Sequence, residues 1–526
     1  MQALNVGVGF NVHPLGEERR MVRLMANYPG LEMHRQFWGT IEKRNPLAPW
    51  WYQAFSRLIR RLPQGLYLLR KLVDLFLAAS VYLLVDQITR GRIPKFALAC
   101  GVLVLFWNFS GYLEQILWVP LIAFAFSILS VYFYCRYLDS GRAAADYLVV
   151  SLLLFFVALG TYTIQCGVPI AVFLLGLFRR PETTGSWRLS SGARTAIKDA
   201  FFFGLLFVIF TQVWITASEP TREFSHLNSG LFLNRFLSSI LNLVWHYETS
   251  CLIRDLNGHW PLWLVVASVG LGTILIYCLF VAIARKETTP HTRGSSIPYF
   301  DLVLVLAVFC ALVAPTILLE STTASYLPGT RVRMVQQGFQ PILYLSLLFL
   351  LTEYLFRRTG RRVEYIRNAG IAFLCALAAV IGLEYNRQLS EQSMFERKLQ
   401  TGLKNVLPRL EKPTHFVVKM KGMKMGVWYS GVTSLMPSLF VETAYNSNWV
   451  WLDPVYEGEP NSSKPVTFGS DQQGIYSPES GGWIPYQDVV FVEFDGQKVT
   501  RLTSIDQQTF SGYGALYARE KPLAGL

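Results

Sequence analysis

Residues His13 to Gln53, "HPLGEERRMVRLMANYPGLEMHRQFWGTIEKRNPLAPWWYQ", gather side chains suited to moving protons and holding phosphates. Glu17 and Glu18 are adjacent carboxylates, with Arg19, Arg20 and Arg23 close behind. Lys43 and Arg44 then precede a turn-forming "NPLAP" that leads into Trp50, Trp51 and Tyr52. A carboxylate can accept or return a proton when its reach and pKa allow, and clustered cations can stabilise a phosphate. The next stretch, "WWYQAFSRLIRRL", places Trp51, Phe55, Leu58, Ile59 and Leu62 on one helical side and Arg57, Arg60 and Arg61 toward another. A helix of that kind lies in a membrane interface, aromatics at headgroup depth and cations near lipid phosphates. Anchoring a loop is the plainer use of the same pattern.

Three further groups stand out. "PGTRVRMVQQGFQP" supplies Arg331 and Arg333, for which a phosphate ligand and lipid-headgroup pairing are both open. Glu114, in "NFSGYLEQILW", could contact a sugar or a metal, or serve as a helix cap or ion-pair partner. His13, His34, His226, His246 and His259 show no HxxxH or HxH pairing, so no metal ligand set is indicated, although a divalent metal is not excluded as a cofactor. The cysteines have no CxxC or Cys/His spacing, and six of the seven lie in apolar runs, where they read as small hydrophobes. Asn108 and Asn461 match the glycosylation pattern, which is common by chance.

The elements that must position these residues are membrane spans. With 52% hydrophobic and only 16% charged residues among 526, the composition lies far from a soluble globular average. Ten apolar runs are expected to span, at about 66–89, 96–113, 118–137, 145–161, 163–178, 200–218, 261–284, 299–320, 338–356 and 369–385. The first is the weakest, since Arg70, Lys71 and Asp74 lie at its start and Asp86 near its end, and snorkelling is expected to accommodate them. Alternate loops separate by charge. Arg90 to Lys95, Arg136 and Arg142, Arg179 to Lys198, Arg285 to Arg293 and Arg357 to Arg367 fall on one side; the other carries only Arg222, Arg235, Arg254, Arg331 and Arg333. Cytoplasmic loops accumulate Lys and Arg, so the first set is expected inside and both chain ends outside. The net charge of +13 is thereby assigned to a membrane topology and not to nucleic acid.

Residues 1–71, with eleven basic and four acidic side chains, oppose export of a tail without a signal sequence. Either a further span precedes Met1, the favoured expectation, or the run at 66–89 does not span. Residues 386–526 hold fourteen basic and fourteen acidic side chains and no apolar run long enough to span. In this region "NRQLSEQSMFERKLQTGLKNVL" suits an amphipathic helix, "HFVVKM" and "NWVWLD" suit strands, and "DVVFVEFDGQKVTRLTSI" suits a hairpin around an Asp-Gly turn. The expected architecture is mainly α, a polytopic helical bundle over 66–385, preceded by an exoplasmic loop over 1–65 and followed by a small mixed α/β domain over 386–526.

A polar first loop with early acidic residues, "GEERRMVRLM", a basic-Pro-Leu segment before aromatics, "KRNPLAPWWY", and a span-turn-span, "ALGTYTIQCGVPIAVFLLGLFRR", together resemble a GT-C fold membrane glycosyltransferase. The nearest likeness is to the bacterial dolichyl-phosphate-mannose-protein mannosyltransferase-like family, which includes the aminoarabinose transferases. Each motif is short, and two features depart from that family: its first span is missing and its usual aspartate is replaced by glutamate.

The resemblance implies transfer of a sugar from a polyprenyl-phosphate donor to a lipid, glycan or protein acceptor on the outer face, with inversion at the sugar carbon. Glu17, or else Glu18, would be the base. Arg44 and Arg331, with Arg333 as the alternative to Arg331, would face the leaving phosphate, and Glu114 would lie near the substrate. The setting it implies is a bacterial inner membrane with the C-terminal domain in the periplasm. An O-antigen polymerase or ligase would concentrate its arginines in one large central outer loop, and a transporter would carry charged or broken helices at the midplane. Neither pattern stands out, and a scaffold displaying the soluble tail is a further alternative.

Overall fold

The computed structural model describes residues 46–48, 50–51, 54, 65–93, 95, 98–102, 118–162, 167–179, 189–214, 237, 260–286, 299–322, 331–356, 362–407, 414–421, 450–456, 467–468, 474–477 and 482–502. Its contacts divide the chain into two compact units, one holding Gly65–Asn386 and the other holding the chain from Arg387 onward.

The first unit is helical over its described residues. Its elements are α1 (Gly65–Ile88), α2 (Trp118–Asp139), α3 (Ala145–Thr161), α4 (Val168–Phe178), α5 (Leu189–Trp214), α6 (Leu262–Lys286), α7 (Tyr299–Thr322), α8 (Arg331–Phe356) and the start of α9 (Arg362–Val406). Among the described residues, three segments are long and apolar enough to cross a membrane: Val119–Asp139, Leu262–Ile283 and Glu364–Glu384. Shorter apolar helices cover Ala145–Thr161, Val168–Phe178, Tyr299–Pro315 and Ile342–Thr352.

Helix α2 is the centre of the unit, packing on α1 and α3, with α4 and α8 also in contact. Ile122, Ala123, Phe124, Ala125, Ile128 and Val131 are buried on all sides of it, as a helix surrounded by neighbours requires. Its seam with α3 is polar: the Ser130 hydroxyl bonds the Ser151 carbonyl at 2.8 Å, and the Ser151 hydroxyl bonds the Ser130 carbonyl at 2.6 Å. Small hydroxylated residues allow this close approach and satisfy each other without water. Helix α1 buries Leu69, Val73, Leu77, Val81, Leu84 and Ile88 at three- and four-residue spacing, leaving Leu72, Leu75 and Leu83 exposed. Helix α6 is the most exposed, with Leu262, Trp263, Val266, Leu271, Ile274 and Leu275 all facing outward.

Helices α1 and α2 end in the same way. Gly91 N–H bonds the Asp86 carbonyl while Arg90 N–H bonds that of Gln87, and Arg142 N–H bonds the Tyr137 carbonyl while Gly141 N–H bonds that of Leu138. Both are paired terminal bonds closed by left-handed residues, with φ +54° at Arg90 and +63° at Gly141.

The second unit is built on a mixed sheet in the order β2-β1-β6-β7, from Val450–Tyr456, Thr414–Met420, Val489–Phe494 and Val499–Arg501. Strand β1 is parallel to both β2 and β6, and β6 turns back into β7. A small antiparallel sheet, β3 (Thr467–Phe468), β4 (Ile475–Ser477) and β5 (Gly482–Ile484), lends Ile475 to a core with Val417, Val489 and Phe491. The strands expected at "HFVVKM" and "NWVWLD" and the Asp-Gly hairpin are all present. The hairpin turn is fastened by the Asp495 carboxylate, which accepts from Gln497 N–H at 2.9 Å and Lys498 N–H at 2.8 Å. Those two donors hold the Asp495 carboxyl below its usual range, that of Lys498 most.

The amphipathic helix of the tail is a direct continuation of the last apolar run, so that α9 extends for 45 residues. Leu399 and Leu403 are buried as expected, whereas Met394 is exposed. Helix α4 is also shorter than the run expected over 163–178, starting at Val168.

Candidate functional site

The candidate site begins where the "NPLAPWW" stretch meets the helices. Leu47 N–H bonds the carbonyl of Gly160 at 2.8 Å, and the Trp51 indole N–H bonds the Thr161 hydroxyl at 2.9 Å. Trp50 N–H and Trp51 N–H both bond the Leu47 carbonyl, closing one helical turn. The Trp51 ring lies 5.8 Å from Phe126 of α2, which in turn meets Phe76 of α1 edge-on at 5.4 Å. An apolar ring stack and two hydrogen bonds therefore seat this turn on the C-terminal end of α3. Gly160 permits the seating, since a Cβ there would come within 2.8 Å of Leu47 Cδ1.

Because Phe76 lies beside Phe126 and Gln87 beside Asp139, α1 and α2 run in the same direction. Arg70, nearly two turns before Phe76, is thus at the Trp51 end of α1. Its Nε bonds Asp74 Oδ1 at 3.1 Å, and Lys71 Nζ lies 3.7 Å from Asp74 Oδ2. All three side chains are buried. Snorkelling, the expectation for these charges, is replaced by internal ion pairing. Taking charged groups out of water is costly, and a partner of opposite sign with hydrogen bonds offsets it. A second buried carboxylate, Glu384 at the end of the apolar part of α9, accepts the Trp260 indole N–H at 2.9 Å.

The opposite end of the helices is bound by ion pairs. Arg179, following α4, grips Asp139 at the end of α2 with Nε to Oδ1 and Nη2 to Oδ2, each 2.8 Å. The same guanidinium donates to the Gln87 carbonyl, and the Gln87 amide donates to Asp139. Arg92 pairs with Asp301 at the start of α7 at 3.1 Å. Arg142 pairs with Asp199 of α5 at 3.2 Å, and the Tyr134 hydroxyl donates to the same carboxylate at 2.9 Å. These contacts tie the ends of α1, α2, α4 and α7 together and join Arg142, just past α2, to Asp199 within α5; their arginines fall among the loops that the charge count groups on one side.

Glu17, Glu18, Arg44 and Glu114 lie outside the described residues. Arg331 and Arg333 stand in the first turn of α8, which starts seven residues before the expected span at 338. The described residues thus do not test whether the six sequence candidates come together; what they show is the seating of Leu47 and Trp51, shortly after Arg44 in the chain. Sequence reasoning missed the pairing of Arg70 and Lys71 with Asp74, although the i,i+4 and i,i+3 spacing signals it. It also missed the Trp51–Thr161 contact, for which no local signal exists. Among the described residues, no group of three or more His, Cys, Asp or Glu side chains could hold a metal ion. The described cysteines, Cys100, Cys135, Cys278, Cys310 and Cys375, are free thiols. No family model matches the chain, and no curated protein or solved structure matches it.

Proposed function

We propose that this chain is a polytopic membrane glycosyltransferase of the GT-C kind, carrying about ten spans, that moves a sugar from a polyprenyl-phosphate donor to an acceptor on the outer face of a bacterial inner membrane. In this reading the acceptor group gives its proton to Glu17 or Glu18 and attacks the anomeric carbon from the face opposite the phosphate. The bond from that carbon to the phosphate oxygen breaks, and the configuration inverts. Arg44, with Arg331 or Arg333, holds the charge that develops on the departing lipid phosphate. Glu114 contacts the sugar, and the tail faces the periplasm.

The observation that carries the reading is the seating of Leu47 and Trp51 on α3, at the end of α1 that buries Arg70, Lys71 and Asp74. The short turn that follows the carboxylates and the basic segment in the sequence is fastened there by one backbone bond, one indole bond and a ring contact. Fastening of this kind is what a loop needs if it is to present a base and a cation at fixed positions.

The test is turnover. Purified full-length protein is incubated with radiolabelled polyprenyl-phosphate sugars, and the wild-type chain is compared with Glu17→Gln, Glu18→Gln and Arg44→Ala. Removing the base should lower turnover by about 10²–10⁴-fold. Turnover unaffected by either glutamate substitution would remove the proposed base, and release of no label to any lipid, glycan or protein acceptor by the wild-type chain would overturn the transferase assignment.

A further inference from the structure

The second unit holds an open pocket of about 340 Å³, lined by Lys398, Thr401, Gly402 and Asn405 of α9 and by Gln497, Lys498 and Val499 of the β6–β7 hairpin. The four helix residues are spaced three, one and three apart, so they form one stripe of α9. The hairpin residues are held in place twice. The Asp495 carboxylate fixes the turn through Gln497 N–H and Lys498 N–H, and Val499 packs on Gly402 so closely that any Cβ there would overlap it. Lys398 Nζ reaches across to Gln497 Oε1 at 2.8 Å.

The lining narrows the choice of ligand. Among the described residues that line it, none carries an aromatic ring on which a base could stack and Val499 is the only large apolar side chain, so this lining serves neither a nucleobase nor an acyl chain. No carboxylate stands among these described lining residues either, so they offer none of the charged oxygen ligands a divalent cation favours. What lines it is two ammonium groups, one hydroxyl and two carboxamides. Ammonium groups bind anionic oxygens through charge-assisted bonds. Carboxamides and hydroxyls both donate and accept, as the hydroxyl groups of a sugar do. The volume is at the small end of the range for ligand sites, which runs from about 300 to 1,000 Å³. We infer that this pocket binds a small anionic saccharide, a sugar carrying a carboxylate or a phosphate, with Lys398 and Lys498 on the anionic group and Thr401, Asn405 and Gln497 on the hydroxyls. The inference does not rest on the transferase reading, because occupancy is measured without turnover.

The test uses the full-length protein in detergent and calorimetric titration with glucose 6-phosphate, glucuronate, glucose and inorganic phosphate. At least one of the two anionic sugars should bind about tenfold or more tightly than glucose, with inorganic phosphate also weaker. Lys398→Ala and Lys498→Ala should each weaken that binding by about tenfold, whereas Lys398→Arg should retain most of it. Far-UV circular dichroism confirms that each variant is folded, and Thr401→Leu, which fills the pocket without touching a charge, supplies an independent loss of binding. Absence of binding by both anionic sugars at millimolar concentration would overturn the inference. So would binding that survives both lysine substitutions and Thr401→Leu, or inorganic phosphate binding as tightly as glucose 6-phosphate.

Discussion

Replacing Asp139 with alanine should destabilise the helical unit more than replacing its partner Arg179 with methionine. The two side chains are bound bidentately, yet Arg179 is 3% exposed and Asp139 32%. At a separation of about 4 Å and an effective dielectric constant near 20, the gross attraction is about 4 kcal/mol, and much of it offsets desolvation of the guanidinium. Asp139→Ala removes the attraction and leaves the cation buried, with the Gln87 carbonyl as a remaining acceptor and Asp301 at longer range. A buried charge stripped of its partner costs about 3–5 kcal/mol. Arg179→Met instead removes the buried cation and keeps much of its volume, while Asp139 retains water and the Gln87 amide, so the cost should be about 1–2 kcal/mol. The double variant Arg179→Met/Asp139→Leu should lie within about 2 kcal/mol of wild type, because no charge is left unpartnered. Equilibrium unfolding in mixed micelles, followed by circular dichroism, ranks the three. An Asp139→Ala cost below that of Arg179→Met would refute the reasoning.

The contact between Trp51 and Thr161 should show a coupling energy of about 0.5–1.5 kcal/mol in a double-mutant cycle of Trp51→Phe and Thr161→Val, measured by the same unfolding experiment; additive effects would mean that the bond contributes nothing. Gly160→Val should displace Leu47, whose Cδ1 a Cβ would meet at 2.8 Å, and raise the quenching of a Trp51-specific fluorescence signal by aqueous iodide, whereas unchanged quenching would show that the segment is held elsewhere. In the second unit, the Lys419 ammonium at 3.0 Å, with Lys421 at 3.3 Å, holds the Glu493 carboxyl below its ordinary value. A carboxyl lowered in the folded state contributes stability that is fully present above the unfolded value of 4.5 and is lost as pH falls through the folded one. Hydrogen exchange of β6 in the full chain, corrected for intrinsic rates, should therefore lose about 1 kcal/mol of protection below that pH, and Glu493→Gln should remove this dependence.

Hydrophobic patterning made much of the helical unit legible before any coordinates. Helix α2 is one unbroken apolar run, and α3 closely follows the run expected over 145–161. The tail strands were legible for a related reason: β-branched and aromatic residues in "HFVVKM" and an Asp-Gly turn specify extended chain and its reversal locally. The continuation of α9 was not, because the apolar run ends near Tyr385 whereas nothing that breaks a helix follows: no Gly or Pro lies between Gly382 and Gly402. Contacts distant in the chain were out of reach altogether. Trp51 and Thr161 are 110 residues apart, and Arg92 and Asp301 are 209. Nothing in the composition of either segment names its partner.

The buried Arg70, Lys71 and Asp74 bear on how such a protein is made. A helix carrying Arg70, Lys71 and Asp74 near its start and Asp86 near its end partitions poorly into lipid by itself, and α1, unlike α2, falls outside the segments apolar enough to cross unaided. In the proposed bundle, α1 would have to wait beside the translocation channel until α2 emerged to cover it. Commitment of α1 to the bilayer would then depend on a segment synthesised later, and weakening the α1–α2 seam would lower yield during biosynthesis before it changed the finished molecule.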